Sequence, residues 1–174
     1  MLRTGLLLIT LTAFMLPAHA QAPTSEGVAA FDRGDYRTAA PILSDQAERG
    51  DARAQVYLGL MHFNGTGVAE DDAASFDWFR RSAEQGYAEG QFQLGFMYAF
   101  DYGVPADETA PMERAAQWFR AAADQDHADA QYNLGLLYLA GSGVVMDEAE
   151  GLRWIRRAGD NGSQGALRFL GEID

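Results

Sequence analysis

Beyond residue 50 the chain repeats one arrangement of apolar and polar positions. Ala52-Arg-Ala-Gln-Val-Tyr-Leu58-Gly59 returns as Ala88-Glu-Gly-Gln-Phe-Gln-Leu94-Gly95 and as Ala128-Asp-Ala-Gln-Tyr-Asn-Leu134-Gly135. A decayed copy, Gln164-Gly-Ala-Leu-Arg-Phe-Leu170-Gly171, closes the series. Ala54, Leu58, Met61 and His62 fall on one face at helical spacing, matched by Gly90, Leu94, Met97, Tyr98 and by Ala130, Leu134, Leu137, Tyr138. The glycines at 59, 95 and 135 lie inside these helices, where glycine costs about 1 kcal/mol relative to alanine. Their recurrence at one register predicts close approach of a partner helix.

That partner is a second helix in each unit. It follows Gly65-Thr-Gly67-Val68 or Gly141-Ser-Gly143-Val144, where glycine takes the left-handed conformation that ends a helix. It opens at Asp71-Asp72, Asp107-Glu108 or Asp147-Glu148 and runs through Trp78, Trp118 or Trp154. The register glycines are 36, 40 and 36 residues apart and the tryptophans 40 and 36. One cause explains both long intervals: Gly103 to Trp118 is 15 residues, against 11 for Gly67 to Trp78 and Gly143 to Trp154. Unit two therefore carries a four-residue insertion. Acids begin the second helices while Arg80-Arg81, Arg120 and Arg156-Arg157 end them, the polarity a helix dipole favours. An arginine site for phosphate or carboxylate is the competing reading of the same residues.

The units are bounded at 51–86, 87–126 and 127–162. Residues 21–50 form a partial unit, with Glu26 to Arg33 a shortened first helix and Gly34 to Ala47 a second. Pro41 is expected to kink that second helix or delay its start. Residues 163–174 are a lone first helix capping the stack, its Gln164, Arg168 and Glu172 facing water. Residues 1–20 have another character: Met1-Leu2-Arg3, an uncharged run from Gly5 to Leu16, then Ala18-His19-Ala20. This is a secretory signal pattern with cleavage after Ala20, and the run is too short for a membrane anchor. A periplasmic or secreted location follows, with no membrane insertion after cleavage.

Composition then removes functions. The 174 residues hold 13 basic side chains, all Arg, against 25 acidic ones, for a charge of −12 with no Cys. Loss of Arg3 on cleavage leaves −13. Nucleic-acid binding is excluded, because cation neutralisation of phosphates supplies most of that affinity. Without Cys there is no disulfide, thiolate nucleophile or Cys-bound zinc, and without Lys no Schiff base, phosphate-loop lysine or Ser-x-x-Lys centre. His62 and His127 are too few and too far apart for a histidine metal site; His62 reads as a core side chain with a hydrogen-bond partner. No catalytic, cofactor-binding or metal-binding residue is assigned, and a monomer without cofactor is expected.

A-x-A-Q-x-x-L-G, a following Tyr, G-x-G-V, an acidic helix start, Trp, and a small-residue pair before Gln-Gly together resemble the Sel1-like repeat family, a relative of the tetratricopeptide repeat. The resemblance covers 51–171 and, more loosely, 25–50, with departures at His62, Asp101-Tyr102-Gly103 and Asp126-His127. It implies an all-α, right-handed superhelical solenoid that holds a partner protein. Some Cys-rich family members are linked to β-lactam binding or hydrolysis; a chain with neither Cys nor Lys gives that no support. An envelope hydrolase of β-lactam or cell-wall substrates, or a secreted factor acting on a host cell, are the alternatives to an exported scaffold.

By that resemblance the groove-lining positions are Arg53, Val56, Leu60 and Phe63; Glu89, Phe92, Phe96 and Ala99; and Asp129, Tyr132, Leu136 and Leu139. They make either an apolar stripe with an acidic rim, suited to an amphipathic or extended peptide, or core packed between units. The Phe92/Phe96 pair is the leading contact. The inserted loop, with Phe100, Tyr102 and Pro105, is the second candidate surface, since insertions in repeats map to loops on one face. A neutral length variant also accounts for it.

Overall fold

The computed structural model describes residues 25–173, so the signal sequence expected at 1–20 lies outside the described residues. Within them the chain is helical throughout, with α1 (Ser25–Asp32), α2 (Tyr36–Glu48), α3 (Ala52–Asn64), α4 (Asp72–Glu84), α5 (Ala88–Phe100), α6 (Pro111–Ala123), α7 (Ala128–Ala140), α8 (Glu148–Asp160) and α9 (Gln164–Ile173). Each helix packs against its chain neighbours, and the first helices α1 and α3, α3 and α5, and α7 and α9 also touch across the intervening second helix. The helices are all-α pairs stacked into a solenoid. No described helix is long and apolar enough to cross a membrane.

Local chemistry sets the ends. Asp35, Asp51, Asp71 and Asp147 each accept from a backbone N–H three residues on, capping α2, α3, α4 and α8. The Asp35 cap starts α2 at Tyr36 and the helix runs through Pro41, so its start is not delayed. Helices α3 and α7 end on left-handed Gly65 and Gly141, as the glycine pattern predicts. Helix α5 ends on Asp101, held at φ +59° in the same role. The second glycine of each turn has a different reason. A Cβ at Gly103 or Gly143 would come within 2.1 Å of the Asp72 or Met112 carbonyl oxygen. These turns therefore lock each unit onto the second helix of the unit before it.

The register glycines behave as expected. A Cβ on Gly59, Gly95 or Gly135 would lie 2.6–2.7 Å from Phe79, Phe119 or Ile155, the residue after each tryptophan. Small residues there let the paired helices close onto fully buried Phe79, Phe119 and Ile155. Where unit two differs, the insertion is the cause. Helix α6 begins at Pro111 rather than at Asp107-Glu108, because the four extra residues fall between the acidic pair and the helix. Glu108 instead accepts from the Thr109 and Ala110 amides and pairs with Arg114. His62 is half-buried rather than core, its Nδ1 3.1 Å from the Ala69 carbonyl oxygen.

Polar continuity runs through the stack. Buried Gln55, Gln91 and Gln131 donate to the carbonyl oxygens of Ala47, Ala83 and Ala123 at the end of the preceding second helix. Each also accepts, from Gln85, Gln125 and Asn161 respectively. The glutamine of A-x-A-Q thus gives a second donor to a helix C-terminal carbonyl that also accepts from the amide of Gly50, Gly86 or Asp126.

Candidate protein-binding groove

Helical spacing divides each first helix between two jobs. In α3, Ala54, Leu58 and Met61 are fully buried, while Leu60 and Phe63 turn away from them and stay partly exposed. In α5, Leu94 and Met97 are buried, and Phe92 and Phe96 take the other side. Side by side, α3 and α5 enclose a recess of about 280 Å³ lined by Leu60, Phe63, Asn64, Phe79, Phe92, Gln93, Phe96 and Met97. Four residues expected to line the groove therefore do meet: Leu60, Phe63, Phe92 and Phe96.

Aromatic rings build the wall on one side. Phe63 meets Phe96 and Tyr102 edge-on at 6.3 and 5.3 Å, and Phe96 meets Phe100 at 4.6 Å. Phe100 is 59% exposed and Tyr102 38%, so the inserted loop joins the groove rather than standing apart. Ala99 and Pro105 instead line a separate cleft beneath that loop, with Tyr98, Val104 and Met112. On the other side Phe92 packs near Phe119 and stacks on the His127 ring at 4.6 Å.

Other expected groove residues are placed differently. Val56 is buried among Phe76, Phe79, Leu94 and Met97, because its α3 register turns it under α5. In unit three, Tyr132, Leu136 and Leu139 pack with Ile155, Ala158 and Ala166 beneath α9, and the Tyr132 ring fills the space a side chain at Gly165 would need. The apolar row is thus open between units one and two and covered at the C-terminal end.

The expected acidic rim is also engaged. Glu89 accepts from His127 Nε2 at 3.0 Å and from Gln93 at 2.7 Å, and these bonds, that to His127 first, hold its carboxyl below its ordinary pKa against the opposing effect of burial. Asp129 accepts from Ser163 Oγ at 2.7 Å. His127 and Ser163 are themselves N-caps, for α7 and α9. Positions 89 and 129 therefore tie each first helix to the start of the next. Because His127 Nδ1 accepts from the Ala130 amide, the ring's proton sits on Nε2. Arg53, the equivalent residue in unit one, lies over the Tyr57 ring, 5.8 Å from its centroid, and hydrogen bonding to Tyr57 raises its pKa.

The second-helix arginines have local partners. Arg81 lies over Trp78 at 4.5 Å, Arg120 and Arg157 both lie over Trp154, and Arg157 pairs with Asp126 at 2.7 Å. Arg80 pairs with Asp77. Sequence reasoning missed the glutamine relay and the Glu89–His127–Phe92 contact. The first had a signal in the recurrence of Gln at 55, 91 and 131; the second had none, since it joins residues about 38 positions apart.

The Sel1 repeat family model matches residues 52–87, 88–127 and 128–163. Among solved structures, the chain resembles a Sel1 repeat protein from Oxalobacter formigenes at 30% identity and a TM-score of 0.76, covering 87% of this chain and 60% of that one. It resembles a protective antigen present in uropathogenic Escherichia coli strains at 38% identity and a TM-score of 0.69, covering 76% of this chain and 27% of that one. The chain thus spans less than two thirds of the length of the first and about a quarter of the second. Helicobacter pylori cysteine rich protein B, at 19% identity and a TM-score of 0.56 over 86% of this chain and 98% of that one, shares the fold. No curated protein matches.

Proposed function

Since the chain belongs to the Sel1 repeat family, whose members are typically protein-interaction scaffolds, we propose that it is an exported, non-catalytic adaptor whose first-helix groove holds a segment of a partner protein. The observation that carries this reading is the recess between α3 and α5, where Phe63, Phe92 and Phe96 surround an open volume of about 280 Å³. Soluble proteins rarely leave a contiguous aromatic surface uncovered without a binding role. Large rigid rings around a concavity are the side chains that anchor a protein contact at low entropic cost. The signal pattern at 1–20 and a protective antigen among the similar structures support a place outside the cytoplasm. The adaptor acts as a monomer, with one groove per chain.

Affinity capture from the native envelope tests the reading, comparing wild type with Phe63→Ala/Phe96→Ala. Both rings are half-buried at the groove edge, so the double variant is expected to keep its helical circular dichroism. Loss of specific partners with the fold intact is the expected result; an unchanged captured set from a folded variant overturns it. Fractionation of the producing cell tests location, and a cytoplasmic protein with its first twenty residues still attached contradicts export.

A further inference from the structure

The groove has two compartments in series along α3, and only one is apolar. Beside the aromatic recess lies a second of about 280 Å³, lined by Arg53, Val56, Tyr57, Leu60, Tyr87 and Glu89, with Leu60 shared between the two. Arg53 is exposed and forms no ion pair among the described residues; its contact is the neutral Tyr57. Asp32 acts on Arg53 through space without pairing with it, and Glu89, which lines the same recess, already accepts from His127 and Gln93. In a strongly acidic chain, a guanidinium left over at the mouth of an apolar groove is a receptor for a carboxylate from outside, through paired N–H donors.

We infer that the groove takes an extended peptide segment carrying a large apolar side chain and a carboxylate two or three residues apart. The apolar side chain enters the Phe63–Phe92–Phe96 recess and the carboxylate reaches Arg53. The spacing follows from α3. The guanidinium lies at the level of Tyr57 and the recess at the level of Leu60 to Asn64. A rise of 1.5 Å per residue separates them by roughly 5–10 Å. An extended chain covers that in two or three residues at about 3.3 Å each. Within the aromatic recess, Asn64 and Gln93 direct their N–H groups to Leu60 O and Glu89, leaving amide oxygens to accept from a peptide backbone. This inference rests on the groove reading proposed above and adds the chemistry of the occupant.

A peptide array tests it separately from partner capture. Nonapeptides with a fixed central Phe, Leu or Met in an Ala/Ser background carry one Glu scanned over every other position, in both directions, and are probed with the purified protein. A second set places the acid as a free C-terminal carboxylate or its amide. Binding should peak with Glu two or three positions from the anchor, and the free-acid set shows whether a chain terminus serves as well. Arg53→Gln should flatten the acid scan, weakening the best peptide by about fivefold, while anchor dependence persists. Phe96→Ala should abolish both. Anchor-dependent binding indifferent to Glu, or improved by Lys in its place, overturns the carboxylate claim and leaves the groove reading standing. No peptide binding above the Ala/Ser background by folded protein also overturns it, and the capture experiment then decides the groove reading on its own.

Discussion

Replacing Gly95 by alanine should destabilise the array, although alanine is the better helix former. Gly95 is the eighth residue of α5, and in an uncontacted helix interior the change would gain about 1 kcal/mol. Here the new methyl would sit 2.7 Å from Phe119 Cδ1 and 2.9 Å from Cε1. Phe119 is 2% exposed, so its ring has no free space to retreat into. Overpacking of that kind costs about 1–3 kcal/mol. With a fully buried ring as the neighbour the cost falls in the upper part of that range, about 2–3 kcal/mol, so the net loss after the propensity gain is about 1–2 kcal/mol, or roughly 2–8 °C in Tm for a chain of this size. Thermal melting followed by circular dichroism at 222 nm measures it. Phe119→Leu removes the offending ring edge, so Gly95→Ala/Phe119→Leu should lose less than the sum of the single changes. Gly171→Ala is the control, because nothing lies within 4 Å of its added methyl. If Gly95→Ala melts at or above wild type, or the two substitutions add without coupling, the close approach of α5 and α6 is not what the register glycine provides.

Three further outcomes follow from particular contacts. Gln131→Ala should cost about 1–2 kcal/mol in denaturant unfolding, since it removes the bonds of a fully buried side chain to the Ala123 carbonyl and the Asn161 amide, each of which keeps a second partner in Asp126. Asp101→Gly should raise stability by about 1 kcal/mol by relieving a left-handed aspartate at the end of α5, measurable as an upward shift in Tm. Glu89 has a folded pKa below its ordinary value, so its contribution is present above about pH 4.5 and is lost as pH falls through the depressed folded value. The stability difference between wild type and Glu89→Gln, at most about 1 kcal/mol for a group 38% exposed, should therefore shrink as pH falls below about 4.5.

The fold was legible because the repeat is dictated by short-range chemistry that recurs. Register glycines, glycine turns, acidic caps and tryptophans each have a local cause, and three copies in phase fix where helices pair. The start of α6 was not legible, because the spacing gives the length of the insertion but not whether its residues extend the turn or the helix; Pro111 resolves it as loop. The groove was half legible. Periodicity separates Leu60, Phe63, Phe92 and Phe96 from the buried face, and these do line one recess. It cannot say what lies over a stripe. Val56 is taken by the next unit, and Tyr132 by a terminal helix whose Gly165 leaves room for its ring. Nor can residue type reveal that Glu89 and Asp129 accept from the N-caps of the following helices while Arg53, at the equivalent position, lies over Tyr57.

Site-specific photocrosslinking tests the central claim, that the α3–α5 groove holds a partner segment. A benzophenone side chain placed at position 96, inside the groove, is compared with one at Glu113, exposed on the second helix α6. Both variants are irradiated in the producing cell. A discrete crosslinked partner from position 96 that is missing from position 113 is the predicted result. Equal crosslinking from both positions, or a partner captured from position 113 alone, would contradict it.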